Sequence, residues 1–154
     1  TVNSSQSLGV RIVNKGDINV QTVKVVANTG SPKISVGEPF TVVVRLENNG
    51  YGDADAVSAA IECPFAPTKK AFVGQLKKDE DAPAVIEMSS SKAGTFTCNM
   101  LVFYRDDTGF YQFSDTFDVT IALPNYAGTI IFLLAILAIL AFIFRKRLPF
   151  FKKK

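Results

Sequence analysis

Phe40-Thr41-Val42-Val43-Val44-Arg45-Leu46-Glu47, running directly into Asn48-Asn49-Gly50-Tyr51-Gly52, is the stretch on which the fold turns. Phe40, Val42, Val44 and Leu46 fall on one face of an extended chain, with Thr41, Arg45 and Glu47 on the other. That period of two belongs to a strand buried on one side. The Asn-Asn-Gly-Tyr-Gly that follows is a strong turn signal. On the N-terminal side, residues 19–27 are rich in β-branched residues and lead into a loop holding Gly30, Pro32, Gly37 and Pro39. On the C-terminal side, strands are predicted over residues 56–63, 71–76, 84–89, 95–104 and 110–122. Arg105-Asp106-Asp107-Thr108-Gly109 reads as a hairpin loop with glycine at the left-handed position. Helix signals are missing before residue 126. Seven or eight short strands over residues 19–122 imply an all-β, immunoglobulin-like two-sheet sandwich. A domain of that size can bury a core without metal or cofactor. Residues 1–18 read as a flexible polar segment, with residues 9–14 a candidate edge strand.

Three stretches carry a family resemblance: Val42 to Gly52, then Phe72-Val73-Gly74-Gln75-Leu76-Lys77-Lys78-Asp79-Glu80-Asp81, then Gly94-Thr95-Phe96 with Tyr104 to Gly109. Together they resemble the adhesion-type (CARDB-like), immunoglobulin-like domains of archaeal surface-layer-related and exported proteins. The resemblance covers residues 20–121, and its motifs mostly encode strand and turn grammar. It implies a sandwich outside the cell in a broad, mostly non-enzymatic family.

Beyond the linker at 123–125 lies an uncharged run, residues 126–144. About 20 apolar residues rising 1.5 Å each would cover a hydrocarbon core of roughly 30 Å. The run is therefore read as one transmembrane helix. The tail at 145–154 contains Arg145, Lys146, Arg147, Lys152, Lys153 and Lys154 and no acid. Positive charge beside a span marks its cytoplasmic side, so the domain before it is expected outside, in type I orientation with a signal peptide already removed. The chain carries +3 in all, which leaves residues 1–144 at −3 once the six basic residues of the tail are set aside. Its basic pI thus belongs to the tail and speaks for lipid headgroups, not for nucleic acid.

Histidine is missing from the chain, which removes His-based triads and His-ligated metals. Phosphate loops and dinucleotide fingerprints are missing too. The paired acids Asp106-Asp107 and Asp79-Glu80-Asp81 sit in predicted turns, where acids serve solubility and turn geometry. The expectation is a non-catalytic protein without cofactor or metal.

Cys63 and Cys98 are expected to form a disulfide, since exported chains fold in oxidising surroundings. Parity agrees: Val57, Ala59, Ile61 and Cys63 share one apolar face, and Phe96, Cys98, Met100 and Val102 another. These strands should be antiparallel neighbours, so the bond would clip one sheet internally. Two small buried thiols are the alternative.

Alternating strand direction gathers residues 48–55, 77–81 and 105–110 at the end remote from the apolar run. Tyr51, Asp53, Asp55, Asp106, Asp107 and Phe110 are the candidate partner-binding residues of this acidic tip. A basic protein partner suits it better than calcium, because none of these loops matches a known calcium-loop spacing. The opposite end holds Lys33, Lys69, Lys70 and Lys92, placed to face headgroups. Within the span, Ala127, Gly128, Ala135, Ala138 and Ala141 fall in one arc of about 140°. Small residues on one face permit close packing with a partner helix. Asn3-Ser4-Ser5 is a lone glycosylation acceptor pattern at Asn3. The expected function is an accessory or structural subunit of a membrane protein complex. The alternative is an independent cell-surface or surface-layer-associated adhesion protein.

Overall fold

A computed structural model describes Gly9, residues 13–124 and residues 126–147. The chain divides into two compact units that part between Ala122 and Leu123. The first comprises β1 (Ile18–Ala27), β2 (Ile34–Ser35), β3 (Pro39–Asn48), β4 (Ala54–Cys63), β5 (Ala66–Leu76), β6 (Asp81–Ser89), β7 (Gly94–Asp106) and β8 (Gly109–Ala122). Two sheets form, one ordered β1-β3-β6 and the other β2-β8-β7-β4-β5. This is the two-sheet sandwich that the alternation implied.

The alternation of β3 is what buries it. Phe40, Val42, Val44 and Leu46 are fully buried, and they meet Val57, Ala59 and Ile61 of β4 and Cys98, Met100 and Val102 of β7 in one core. At one end of that core Phe65 bridges the sheets, 5.0 Å from Phe96 and 6.2 Å from Phe40 between ring centroids. Such tilted and edge-on pairs add to the burial energy.

Two strands start earlier than their patterns suggest. Before Ala71, β5 carries the exposed residues Pro67 to Lys70, which hide any alternation because this edge strand faces water there. Pro83 lies inside β6, and it is tolerated because β6 is an edge strand and no neighbour needs its missing donor. The brief β2 exists only through its parallel pairing with Ile121 and Ala122, a contact far away in sequence.

The register between β4 and β5 slips by one residue around Ala56, which takes φ 51° in the left-handed region. A β-carbon there costs about 1–2 kcal/mol, more than glycine loses in chain entropy. Ala56→Gly should therefore stabilise the sandwich by up to about 1 kcal/mol, read from its urea midpoint at constant m. A loss of stability would show that the bulge is not strained.

The second unit contains α1 (Ala127–Arg147), whose first turn is closed by Ile130 N–H donating to the Tyr126 carbonyl at 2.9 Å. Every side chain described in it, from Ile130 to Phe142 and at Phe144, is exposed. Among the described residues, no helix is long and apolar enough to cross a membrane. The membrane span expected over residues 126–144 is therefore not shown by the structure. Asn3, Lys152 to Lys154 and residues 10–12 of the candidate edge strand 9–14 lie outside the described residues, and Gly9, Val13 and Asn14 are not in a strand.

Candidate functional site

The three loops named from strand direction do converge at one end of the sandwich, and the residue that gathers them is Asn48. Its side chain is fully buried and makes four hydrogen bonds. Oδ1 accepts from Asp17 N–H at 3.0 Å and from Gly50 N–H at 3.1 Å. Nδ2 donates to the Gly52 carbonyl at 2.9 Å and to the Leu76 carbonyl at 3.0 Å. Its main chain adds two more, donating to Glu80 O and accepting from Asp79 N–H. One amide therefore joins the entry to β1, the β3–β4 loop and the β5–β6 loop, with its bonding capacity filled.

The residues just before β1 lie across this end. Tyr51 and Gly52 donate to the Lys15 carbonyl, and Asn49 donates to that of Asp17. The backbone approaches so closely that a β-carbon on Gly52 would sit 2.6 Å from the Asn14 carbonyl oxygen, and one on Gly50 would crowd Lys15. Glycine is needed at both positions for contact, not for φ. The expected flexible segment 1–18 is thus held down from Asn14 onward, because the turn glycines leave room for it.

Asp106 is a correction to the expected binding tip. It is only 7 % exposed and faces inward. Oδ1 accepts from Thr108 N–H at 2.7 Å, Thr108 hydroxyl at 2.6 Å and Gly109 N–H at 3.1 Å, and Oδ2 accepts from Gly16 N–H at 3.1 Å. Its lone pairs already close the β7–β8 turn and tie down the N-terminal strap, so they are not free for a partner or cation. Burial pushes this carboxyl up, but the donors at Thr108, Gly109 and Gly16 outweigh it and hold the group below its ordinary value. A depressed folded value means the stabilisation is complete above the unfolded value near pH 4 and is lost as pH falls through the folded one. The urea midpoint should therefore fall as the pH drops below about 4. Asp106→Asn should be less stable by about 1–3 kcal/mol at neutral pH, and its acid decline should be shallower. An unchanged acid limb would mean that other carboxylates govern it.

The remaining tip candidates stay at the surface. Asp107 is exposed, Asp53 is exposed and accepts from Lys78 N–H at 3.3 Å, and half-buried Asp55 pairs with Arg105 across β4 and β7. Tyr51 is 80 % exposed and Phe110 is 81 % exposed. Each carries a cation over its ring, Lys78 at 5.4 Å and Arg105 at 5.9 Å. Further in, Lys15 lies 4.7 Å over Tyr111, which stacks on Tyr104. The tip is therefore a mixed surface of aromatic rings capped by cations beside exposed acids. Among the described residues, no group of three or more His, Cys, Asp or Glu side chains is arranged to hold a metal ion.

The cysteines lie at the other end. Ile61 pairs with Met100 and Glu62 with Asn99, which sets Cys63 opposite Cys98 on neighbouring strands of the five-stranded sheet. They form a disulfide with Cα atoms 4.5 Å apart, a clip within one sheet as parity implied. Of the α1 candidates, Ala135, Ala138 and Ala141 are exposed.

The sandwich is similar to the CARDB domain of the PF1109 protein from Pyrococcus furiosus, a structure solved with two metal ions. The two share 16 % identity at a TM-score of 0.52, over 78 % of this chain and 100 % of that one. The fold is CARDB-like. Weaker likenesses to the CARDB-like sandwich are PapD-like domain 7 of human CEP192 and Spo0M of Bacillus subtilis. The first has 12 % identity and TM-score 0.47 over 80 % of this chain and 96 % of that one. The second has 11 % and 0.35 over 74 % and 51 %. No protein-family model matches the chain, and no curated protein matches it.

Proposed function

We propose that the chain presents its CARDB-like sandwich outside the cell from a single membrane-spanning helix, and acts by binding, as a non-catalytic accessory subunit of a membrane complex. The observation that carries this reading is α1. Its described apolar side chains are exposed all round, and the uncharged run 126–144 ends on Arg145-Lys146-Arg147. In water such a surface would be a severe liability, and in lipid it is the expected one. On this reading the sandwich docks on the exterior part of a larger subunit. The exposed pair Tyr51 and Phe110, each under a cation, has the amphipathic aromatic character of interface anchors. The same pair favours a second reading, an independent adhesion protein at the cell surface.

Alkaline carbonate washing of membranes, with protease added to intact cells, tests the topology. Retention of the chain in the pellet and digestion of the sandwich from outside are expected, and release into the wash would overturn the reading. Gentle detergent extraction then separates the two roles, because a stoichiometric co-purifying chain supports the subunit and a lone chain supports adhesion. Gly128→Leu or Ala135→Leu should reduce recovery of that partner severalfold by blocking close helix approach, whereas Leu133→Ile should leave it intact. Equal recovery from all three would remove the packing face.

A further inference from the structure

One long strand of the sandwich has an open side. β2 pairs with β8 only at Ile121 and Ala122, so among the described residues Gly109 to Thr120 pairs with β7 alone. In an antiparallel ladder every second residue turns its N–H and C=O to the same side, and along β8 one of those sides has no partner strand. β1 is the edge of the other sheet, and β1 and β8 both line one cavity of about 650 Å³, through Val25, Val26, Ala27, Thr120 and Ala122. The two strands therefore bound the same flank. Tyr111, Phe113 and Phe117 of β8 and Val20, Val23 and Val25 of β1 pack against the core there but stay half-buried. Core-facing Cys98, Met100 and Val102 of the neighbouring β7 are fully buried. The flank thus offers both the backbone groups and the uncovered apolar row that an added strand uses.

Asp115 decides which strand could be added. It lies opposite Met100, which is 1 % exposed, so it holds a core-facing position and is nevertheless exposed. Its Oδ1 accepts from Thr116 N–H at 2.8 Å. Among the described residues the ion pairs are Arg45–Asp81 and Lys78–Asp79, so no cation neutralises it. The other charges of this flank point elsewhere. Lys24 of β1 and Asp118 of β8 lie opposite Val43 and Thr97 on the outer faces, Lys15 lies over Tyr111 near the tip, and Lys33 lines the cavity. Asp115 is the one charged residue at the core-facing positions of β1 and β8. Covering it with an apolar side chain would bury an unpaired carboxylate, at high cost. A second copy of β8 fails on that ground. In any antiparallel register that keeps the core faces aligned, Asp115 would meet itself, glycine, or an apolar or aromatic residue. Like charges opposite one another on paired strands repel, and opposite charges attract. We propose that the open edge of β8 accepts an extended segment of a partner protein, with a lysine or arginine facing Asp115 and apolar residues two places to either side. Those apolar residues cover Phe113 and Phe117, and main-chain bonds to the edge supply affinity. This flank is separate from the aromatic tip and would serve the subunit and adhesion roles alike.

The test displays nine-residue segments on phage, with valine at odd positions, threonine at even ones, and the fifth position varied over all amino acids. They are selected on the full chain in detergent micelles, with its disulfide intact. Lysine and arginine should be recovered at the fifth position at least about fivefold more often than glutamate or valine, the factor a cross-strand ion pair can supply. On Asp115→Lys the preference should pass to aspartate and glutamate, and on Asp115→Val to valine. Asp115 is exposed, so both variants should fold. Added as a free peptide, the lysine segment should slow hydrogen exchange along residues 110–120 and leave the edge strand β5 unchanged. Recovery of no segment by the parent chain, a fifth position to which all three targets are indifferent, or protection on β5 in place of β8 would each overturn the proposal.

Discussion

Removing the Cys63–Cys98 bond should cost the sandwich about 3–4 kcal/mol. The bond joins residues 35 apart in sequence, and the loop it closes contains β5 and β6. Those strands belong to different sheets, β5 beside β4 and β6 beside β3. Without the bond, the unfolded chain gains all the freedom of a segment that must cross from one sheet to the other. Both sulfur-bearing residues are buried, so the Cys63→Ala, Cys98→Ala double variant also loses packed volume. The expected result is a melting point lower by on the order of 15 °C and a larger urea m value, since the uncrosslinked chain unfolds further. In the unreduced, denatured protein both thiols should resist alkylation. Alkylation of either one, or a double variant as stable as the parent, would remove the bond from the account.

Asn48→Ala should cost a similar amount, about 3–5 kcal/mol, for a different reason. The substitution removes one amide but abandons four backbone groups, the N–H of Asp17 and Gly50 and the carbonyls of Gly52 and Leu76. Each buried group left unsatisfied carries about 1–3 kcal/mol, with some relief where water can enter at the end of the sandwich. Asn48→Asp tells a hub from a turn former. Aspartate suits a turn as well as asparagine does, so a turn former would tolerate it. At this position the carboxylate would confront two carbonyl oxygens where the amide donates, and the loss should match or exceed that of alanine. A near-neutral Asn48→Asp in urea unfolding would reduce the residue to turn chemistry.

The sandwich was legible in the sequence wherever burial on one face wrote itself as alternation. Phe40 to Leu46 is the clearest instance, and the shared parity of Cys63 and Cys98 was enough to place a bond within one sheet. Legibility failed where a residue's role depends on partners distant in the chain. Asn48 was readable only as the first residue of a turn, because its partners come from residues 17, 76 and 80 as well as from the turn itself. Asp106 was grouped with the free acids because the donor on its second oxygen, Gly16, is 90 residues away. A local clue was present, since Asp-x-Thr-Gly is the pattern of a carboxylate that closes its own turn. The early part of β5 lacked a signal because exposed edge residues are under no hydrophobic constraint. The exposure of Tyr51 and Phe110 followed from their place in turns, but the cations stacked over them depend on neighbouring segments and could not be read.

The N-terminal strap gives the sandwich a mechanical character. The chain is gripped at residues 14–17 at one pole and leaves β8 at Ala122 at the other. A pull applied between those two points would therefore run along the strands. β1 would have to slide past β3, and β8 past β7, with all their ladder bonds loaded together. Bonds strained in parallel yield far less readily than bonds opened one after another, and resistance of that kind is a property of the unfolding rate, not of equilibrium stability. The clip between Cys63 and Cys98 lies off this line, so reduction should soften the domain to heat while leaving its yield force nearly unchanged.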